Sequence, residues 1–204
     1  MNNKLLEVVD QYKYLGALFT KNGKINEEIK HRIKQATNIY YQINQTIIGK
    51  TEIDTKTKLQ IYKTVYTPTL LYGAESWPTN DKINQQIQAA EMKYLRRVAN
   101  KTKRDKERNT KLRETLKVTP IGYDIENRQL KWYGHVKRMD KNRIPRKCLE
   151  ARIEGKRSRG RHRRTWLDSV ITTGKNRNKT LSELNNLCMD RKEWKKWIEK
   201  DPTP

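Results

Sequence analysis

Ten consecutive residues, Gly155-Lys156-Arg157-Ser158-Arg159-Gly160-Arg161-His162-Arg163-Arg164, hold six cationic side chains and no apolar one. Nothing in such a run can be buried. It reads as an exposed, flexible arm, with Lys156, Arg157, Arg159, Arg161, Arg163 and Arg164 available to neutralise phosphates. A nuclear-import signal would use the same residues. Upstream, Lys131-Trp132-Tyr133-Gly134-His135-Val136-Lys137-Arg138 interleaves cations with rings. Helical spacing places Trp132 in a core and leaves Lys131, Tyr133, His135, Lys137 and Arg138 to face a nucleic acid. Lys101, Lys103 and Arg104 open a further cationic stretch and join the same expected phosphate-binding set.

Other chemistries find less support. Cys148, His162 and Cys188 include no close pair of the Cys-x-x-Cys or His-x-x-x-His kind, and a tetrahedral zinc site needs four ligands, so neither metal nor cofactor is expected. Glu27, Glu28 and Glu75 lack a second carboxylate at a defined spacing and are read as structural. Tyr72-Gly73 with Trp77 reads as packing, with glycine permitting close approach.

Overall charge points the same way as the arm. The 204 residues carry 46 Lys+Arg against 23 Asp+Glu, a net charge of +23. Residues 101–164 alone hold 23 Lys+Arg against 8 Asp+Glu, a net of +15, so most of the surplus sits in less than a third of the chain. Such self-repulsion is tolerable when a polyanion neutralises it, which makes RNA, DNA or an RNA–DNA duplex the expected partner. No uninterrupted apolar run approaches the roughly 18–20 residues of a spanning helix, so no membrane is expected. The first residues have no signal-peptide core. Nucleus or cytoplasm is the expected location, which suits a chain with two cysteines.

The elements that must position these groups are mainly helical. Residues 4–21 alternate loosely through Val8, Tyr12, Tyr14, Leu18 and Phe19 and predict a strand, with a hairpin or corner at Gly16 or Gly23. From Asn26, the expected N-cap, Ile29, Ile33, Ala36, Tyr40, Ile43 and Ile47 recur at helical spacing up to Gly49. A second helix is expected over about residues 54–66, ended or bent by Pro68, and a third over about 81–99 through Ile83, Ile87, Ala90, Tyr94 and Val98. Ile33, Ile43, Ile87 and Tyr94 are expected to share one core. Shorter helices follow at about 109–118 and 123–139, and another opens at Ile144-Pro145. Three capping-box patterns, Thr165-x-x-Asp168, Thr180-x-x-Glu183 and Asp190-x-x-Glu193, then announce C-terminal helices anchored by Trp166, Leu184, Trp194 and Trp197.

Four blocks in this order carry a resemblance. They are Tyr12-Lys13-Tyr14-Leu15-Gly16 followed by Glu28-Ile29-x-x-Arg32-Ile33; Leu71-Tyr72-Gly73-x-Glu75-Ser76-Trp77; Glu91-Met92-x-x-Leu95-Arg96-Arg97-Val98; and Lys131-Trp132-Tyr133-Gly134-His135-Val136-x-Arg138-Met139, with Gly155-x-Arg157-x-Arg159-Gly160-Arg161 and Trp166-x-Asp168 beyond it. Together they resemble the C-terminal part of the reverse transcriptase of non-LTR (LINE-type) retrotransposons of the insect kind. The resemblance spans roughly residues 12–170. His162 stands where such proteins usually carry proline, and Pro78-Thr79-Asn80 is less typical after the tryptophan.

The resemblance implies that Tyr14, Leu15 and Gly16 lie on a primer-proximal hairpin and that the following helices form a thumb gripping a template–primer duplex. The family's catalytic aspartates lie upstream of that hairpin, and only eleven residues precede Tyr12. No catalysis is therefore expected from this chain alone, although the palm of a reverse transcriptase is an implied partner.

The expected architecture is mainly α. It comprises a β-hairpin remnant of the palm edge (1–24), a thumb-like helical domain (25–154), the basic arm (155–164) and short C-terminal helices (165–204). The expected function is binding of template–primer-like nucleic acid without sequence preference. The alternative is a non-catalytic protein-interaction module, or an inert remnant, whose arm serves only import.

Overall fold

The computed structural model of the chain describes residues 8–151, 160 and 164–200. Of the six arm cations, Lys156, Arg157, Arg159, Arg161 and Arg163 lie outside the described residues, and Arg164 is exposed. The fold is mainly helical with one two-stranded antiparallel hairpin at its start. It divides into two compact units, Met1–Gly73 with Gln85–Val118, and Ala74–Asn84 with Thr119–Pro204.

The first unit opens with β1 (Gln11–Tyr14) and β2 (Ala17–Thr20), paired so that Tyr12 faces Phe19 and Tyr14 faces Ala17. The two residues between the strands both take positive φ, Leu15 at 47° and Gly16 at 83°, the backbone that a two-residue hairpin turn requires. Helix α1 (Asn26–Ile43) follows. Its cap position is Ile25, with no side-chain cap, so Asn26 is the first helical residue and not the expected N-cap.

The inward face of α1 also departs from expectation. Ile29, Arg32, Ala36 and Tyr40 are buried together with Glu28, while Ile33 and Ile43 are only half-buried. The stripe is rotated because an ion pair occupies it. The Glu28 carboxylate accepts from Arg32 Nε at 2.6 Å and from the Leu18 backbone N–H at 2.7 Å. Arg32 also donates to the carbonyl of Gly16 and lies over the Tyr72 ring, 4.5 Å from its centre. The Tyr72 hydroxyl donates to the carbonyl of Leu15 at 2.7 Å. Glu28 and Arg32 from α1 and Tyr72 from the turn at 71–73 thereby hold the hairpin turn.

Helix α2 (Thr55–Ile61), capped by Asp54, does not stop before Pro68. It runs through a π turn (Tyr62–Tyr66) into α3 (Thr67–Leu70). The wider turn lies just ahead of the proline, whose ring and missing N–H disturb α-helical geometry. Helix α4 (Asp81–Val98) buries Ile83, Ile87, Ala90, Tyr94 and Val98, the stripe read from the sequence.

Tyr94 sits among the rings of Tyr40, Tyr62 and Tyr66, with centres 4.6–6.3 Å away. Its hydroxyl donates to the carbonyl of Lys58 at 3.0 Å, and that of Tyr66 to the carbonyl of Ala90 at 2.8 Å. Burial pushes both phenols well above their ordinary range. Helix α5 (Asn109–Leu116) brings Arg113 to Glu91, which is fully buried; the ion pair is 2.5 Å long. Tyr62 donates to the other oxygen of Glu91 at 3.2 Å.

The second unit is built on α6 (Ile121–Lys137). Ile121, Ile125, Gln129, Tyr133 and Val136 form its buried face, and a short 3-10 turn (Ala74–Ser76) packs against it. Gln129 donates to the carbonyl of Trp77 at 2.8 Å. Next come α7 (Ile144–Glu150), with Pro145 in its first turn, α8 (Trp166–Asn176), α9 (Leu181–Leu187) and α10 (Arg191–Glu199). Thr165/Asp168 and Thr180/Glu183 form reciprocal capping boxes. At Asp190 the carboxylate accepts from Lys192 and Glu193 N–H without the return bond.

The C-terminal helices share one core with α6, comprising Leu130, Tyr133, Val170, Leu184, Cys188, Trp194 and Ile198. Gly134 permits the closest contact in it, because a Cβ there would stand 2.2 Å from Trp194 Nε1. Trp194 donates through that nitrogen to the carbonyl of Leu130 at 3.2 Å.

The Glu91–Arg113 pair yields a sharp test. Arg113→Met strands a buried carboxylate and should cost about 3–5 kcal/mol in urea denaturation. Adding Glu91→Leu should restore most of that loss, since the unpaired charge goes with it. A double variant as unstable as the single one would show that the two groups act independently.

Candidate nucleic-acid interface

The cations singled out in the sequence fall into different settings. In the first unit, Lys101, Lys103 and Arg104 are exposed. The last two belong to a 3-10 turn (Lys103–Asp105) closed by a capping box between Thr102 and Asp105. The Thr102 N–H, donating at 2.6 Å, holds the Asp105 carboxyl below its ordinary range. This segment is therefore a locally folded platform for its cations. On the hairpin, Tyr14 and Leu15 are exposed, and Gly16 is half-buried with its carbonyl occupied by Arg32.

In the second unit, Tyr133 corrects the expectation that it faces outward. It is 2% exposed and donates to Asn185 Oδ1 at 2.5 Å, with burial pushing its phenol up to about 12. Trp132, expected in the core, is half-buried on the wall of an apolar cleft with Pro145, Leu149, Trp166 and Leu167. The buried face of α6 passes through residue 133, which leaves 132 at its margin. Lys137 is half-buried and lies 3.6 Å from Glu150, which also binds Arg146.

Lys131 and His135 on α6 and Arg138 at its C-cap follow at spacings of four and three residues and open onto one cleft of about 500 Å³. Its other wall is α10, which contributes Arg191 and Lys195, with Trp194, Ile198 and Glu199 completing the lining. Among the described residues, Lys131 is the one of the four Lys and Arg side chains here with an acidic partner, Glu199 at 3.8 Å. Arg138 is held by a bond to the carbonyl of Cys188. His135 rests against Trp132, ring centres 5.4 Å apart.

Arg191 and Lys195 were missed in the sequence because the blocks that carry the resemblance end near residue 170, before α10. Their spacing of four residues beside Trp194 and Ile198 was the available signal. Among the described residues, no group of three His, Cys, Asp or Glu side chains could hold a metal ion, and no helix is long and apolar enough to cross a membrane.

A transposon-derived protein of Caenorhabditis elegans, itself uncharacterized, is 27% identical to this chain over 207 residues, covering 97% of the chain and 73% of the relative. The likeness supports a transposon-related origin. No protein-family profile and no solved structure matches the chain.

The inward position of Tyr133 separates packing from contact. Tyr133→Phe should lower stability by about 1 kcal/mol through loss of the bond to Asn185, and should leave affinity for DNA within about twofold. Denaturation curves and fluorescence anisotropy measure the two effects. Weakened binding at unchanged stability would return the ring to the interface.

Proposed function

We propose that the chain binds nucleic acid without sequence preference, as the thumb-like portion of a LINE-type retrotransposon reverse transcriptase. The observation that carries this reading is the uncompensated charge, 46 cations against 23 acids. In the second unit, the cleft cations Lys131, Arg138, Arg191 and Lys195 face a single carboxylate, Glu199. Phosphate contacts made by lysine and arginine position a strand without reading its bases, which suits a grip that must accept any template. The transposon-derived relative supports the setting, and the four sequence blocks support the assignment to a reverse-transcriptase thumb.

The arm supplies the main test. If four of its six cations engage phosphates together, replacing all six with alanine should flatten the log–log salt dependence of duplex binding by roughly 3 to 4 units. Affinity should fall equally on two unrelated sequences. Anisotropy across a salt series measures both, with circular dichroism reporting the fold. An unchanged slope in a folded variant would reduce the arm to a passive tail. The chain incubated with template–primer, nucleotides and Mg²⁺ should extend nothing, and protein-dependent extension would overturn the non-catalytic part of this reading.

The second reading is a protein-docking module, favoured by the hairpin. Tyr12, Tyr14 and Phe19 are 56–60% exposed and share one face of it. An apolar face of this kind suits a partner protein. Absence of salt-dependent nucleic-acid binding would decide for that module.

A further inference from the structure

The cleft between α6 and α10 has features beyond those of a generally basic surface. Its cations come from two helices that are distant in sequence. Lys131 stands on α6 and Arg138 at its C-cap, and Arg191 and Lys195 one turn apart on α10. Buried Trp194 and Ile198 line its base, and His135 adds a planar ring at the rim. The single carboxylate, Glu199, lies 3.8 Å from Lys131 and is an acceptor on an otherwise donating wall. A volume of about 500 Å³ suits a small organic group better than a bare anion.

These features together fit a ligand with a phosphate at one end, a flat ring in the middle and an amino donor at the edge. The phosphate meets the lysines and arginines. The ring lies against His135 and the Arg138 guanidinium, planar groups on which unpaired bases stack. The amino group donates to Glu199. Bases paired within a duplex are stacked on their neighbours and closed along their hydrogen-bonding edges, so they would have to leave the stack to enter. A duplex can meet the same cations only through its phosphates.

We infer that this cleft is a subsite for an unpaired nucleotide of a single-stranded segment, in addition to the phosphate contacts spread over the rest of the chain. It rests on the nucleic-acid reading above and sharpens it, dividing the chain's cations into those that any polyanion can use and those that recognise a free strand.

The test removes equal charge from two faces of the same helix. Arg191→Ala with Lys195→Ala empties the cleft wall, whereas Lys192→Ala with Lys196→Ala removes two exposed cations outside it. All four side chains are exposed, so the fold should persist in both variants, with circular dichroism as the check. Binding of the full chain is measured by anisotropy with an oligodeoxycytidylate of about twelve nucleotides and with a duplex of equal length.

The cleft variant should lose roughly tenfold more affinity for the single strand than its charge-matched control. Both variants should lose about equally on the duplex. Equal losses of the two variants on the single strand would overturn the subsite while leaving general nucleic-acid binding in place. Failure of the parent to bind either probe would overturn the broader reading as well. Displacement of the single strand by polyglutamate as readily as by unlabelled oligodeoxycytidylate would also overturn the subsite, because the cleft would then be accepting an acidic chain of any kind.

Discussion

Glu91 is a carboxylate with no exposed surface, in a unit where most ionisable groups are cations. Burying it alone would cost several kcal/mol, so its position demands donors. Arg113 comes from α5 and Tyr62 from the π turn, and both must arrive for α4 to keep Glu91 inside. The pair adds little net stability over an apolar replacement of the same shape, but one half without the other is strongly unfavourable. That asymmetry couples α5 to α4 and selects one arrangement of the helices. The rings of Tyr40, Tyr62 and Tyr66 around Tyr94 then fill the remaining space, and the hydroxyls of Tyr62, Tyr66 and Tyr94 bond to Glu91 or to a backbone carbonyl.

The same logic recurs at the hairpin. Glu28 and Arg32 lie on one face of α1, and their spare donors and acceptors reach the backbone of Leu18 and Gly16. Tyr72 closes the turn from another segment. Glu28, Arg32, Tyr72 and Glu91 all belong to the four sequence blocks, as do Trp77, Tyr133 and Gly134. In this fold they act through packing and hydrogen bonding. Gly134 makes room for the Trp194 indole, and the carbonyl of Glu75 accepts from Trp166 at 2.7 Å. The blocks thus supply much of the scaffold, and the fourth block also carries the cleft side chains Lys131, His135 and Arg138.

A surface rich in cations has a use only where something negative meets it. In the second unit the C-terminal helices turn scattered charge into a shaped feature. Docking of α10 through Trp194 and Ile198 places Arg191 and Lys195 opposite Lys131 and Arg138. The likeness to a transposon-derived protein supports a transposon-related origin.

Much of the local structure was legible in the sequence. The periodicity of Ile83, Ile87, Ala90, Tyr94 and Val98 set the buried stripe of α4, and the Thr165 and Thr180 capping boxes set the starts of two helices. The Tyr-Leu-Gly segment contained the hairpin turn. The surplus of positive charge follows from composition alone. Tertiary structure decided how each helix is rotated. Periodicity determines which residues share a face, but the angle at which that face meets its neighbours depends on partners elsewhere in the chain. For α1 the partner of Glu28 and Arg32 was the hairpin backbone, which drew a charged pair inward and left Ile33 half-exposed. For α6 it was the C-terminal core, which took Tyr133 inward and left Trp132 at the margin. The convergence of α6 and α10 cations was equally hidden, because a solvated lysine fits almost any surface position and only the packing of Trp194 against Leu130 and Gly134 determines which surface it shares.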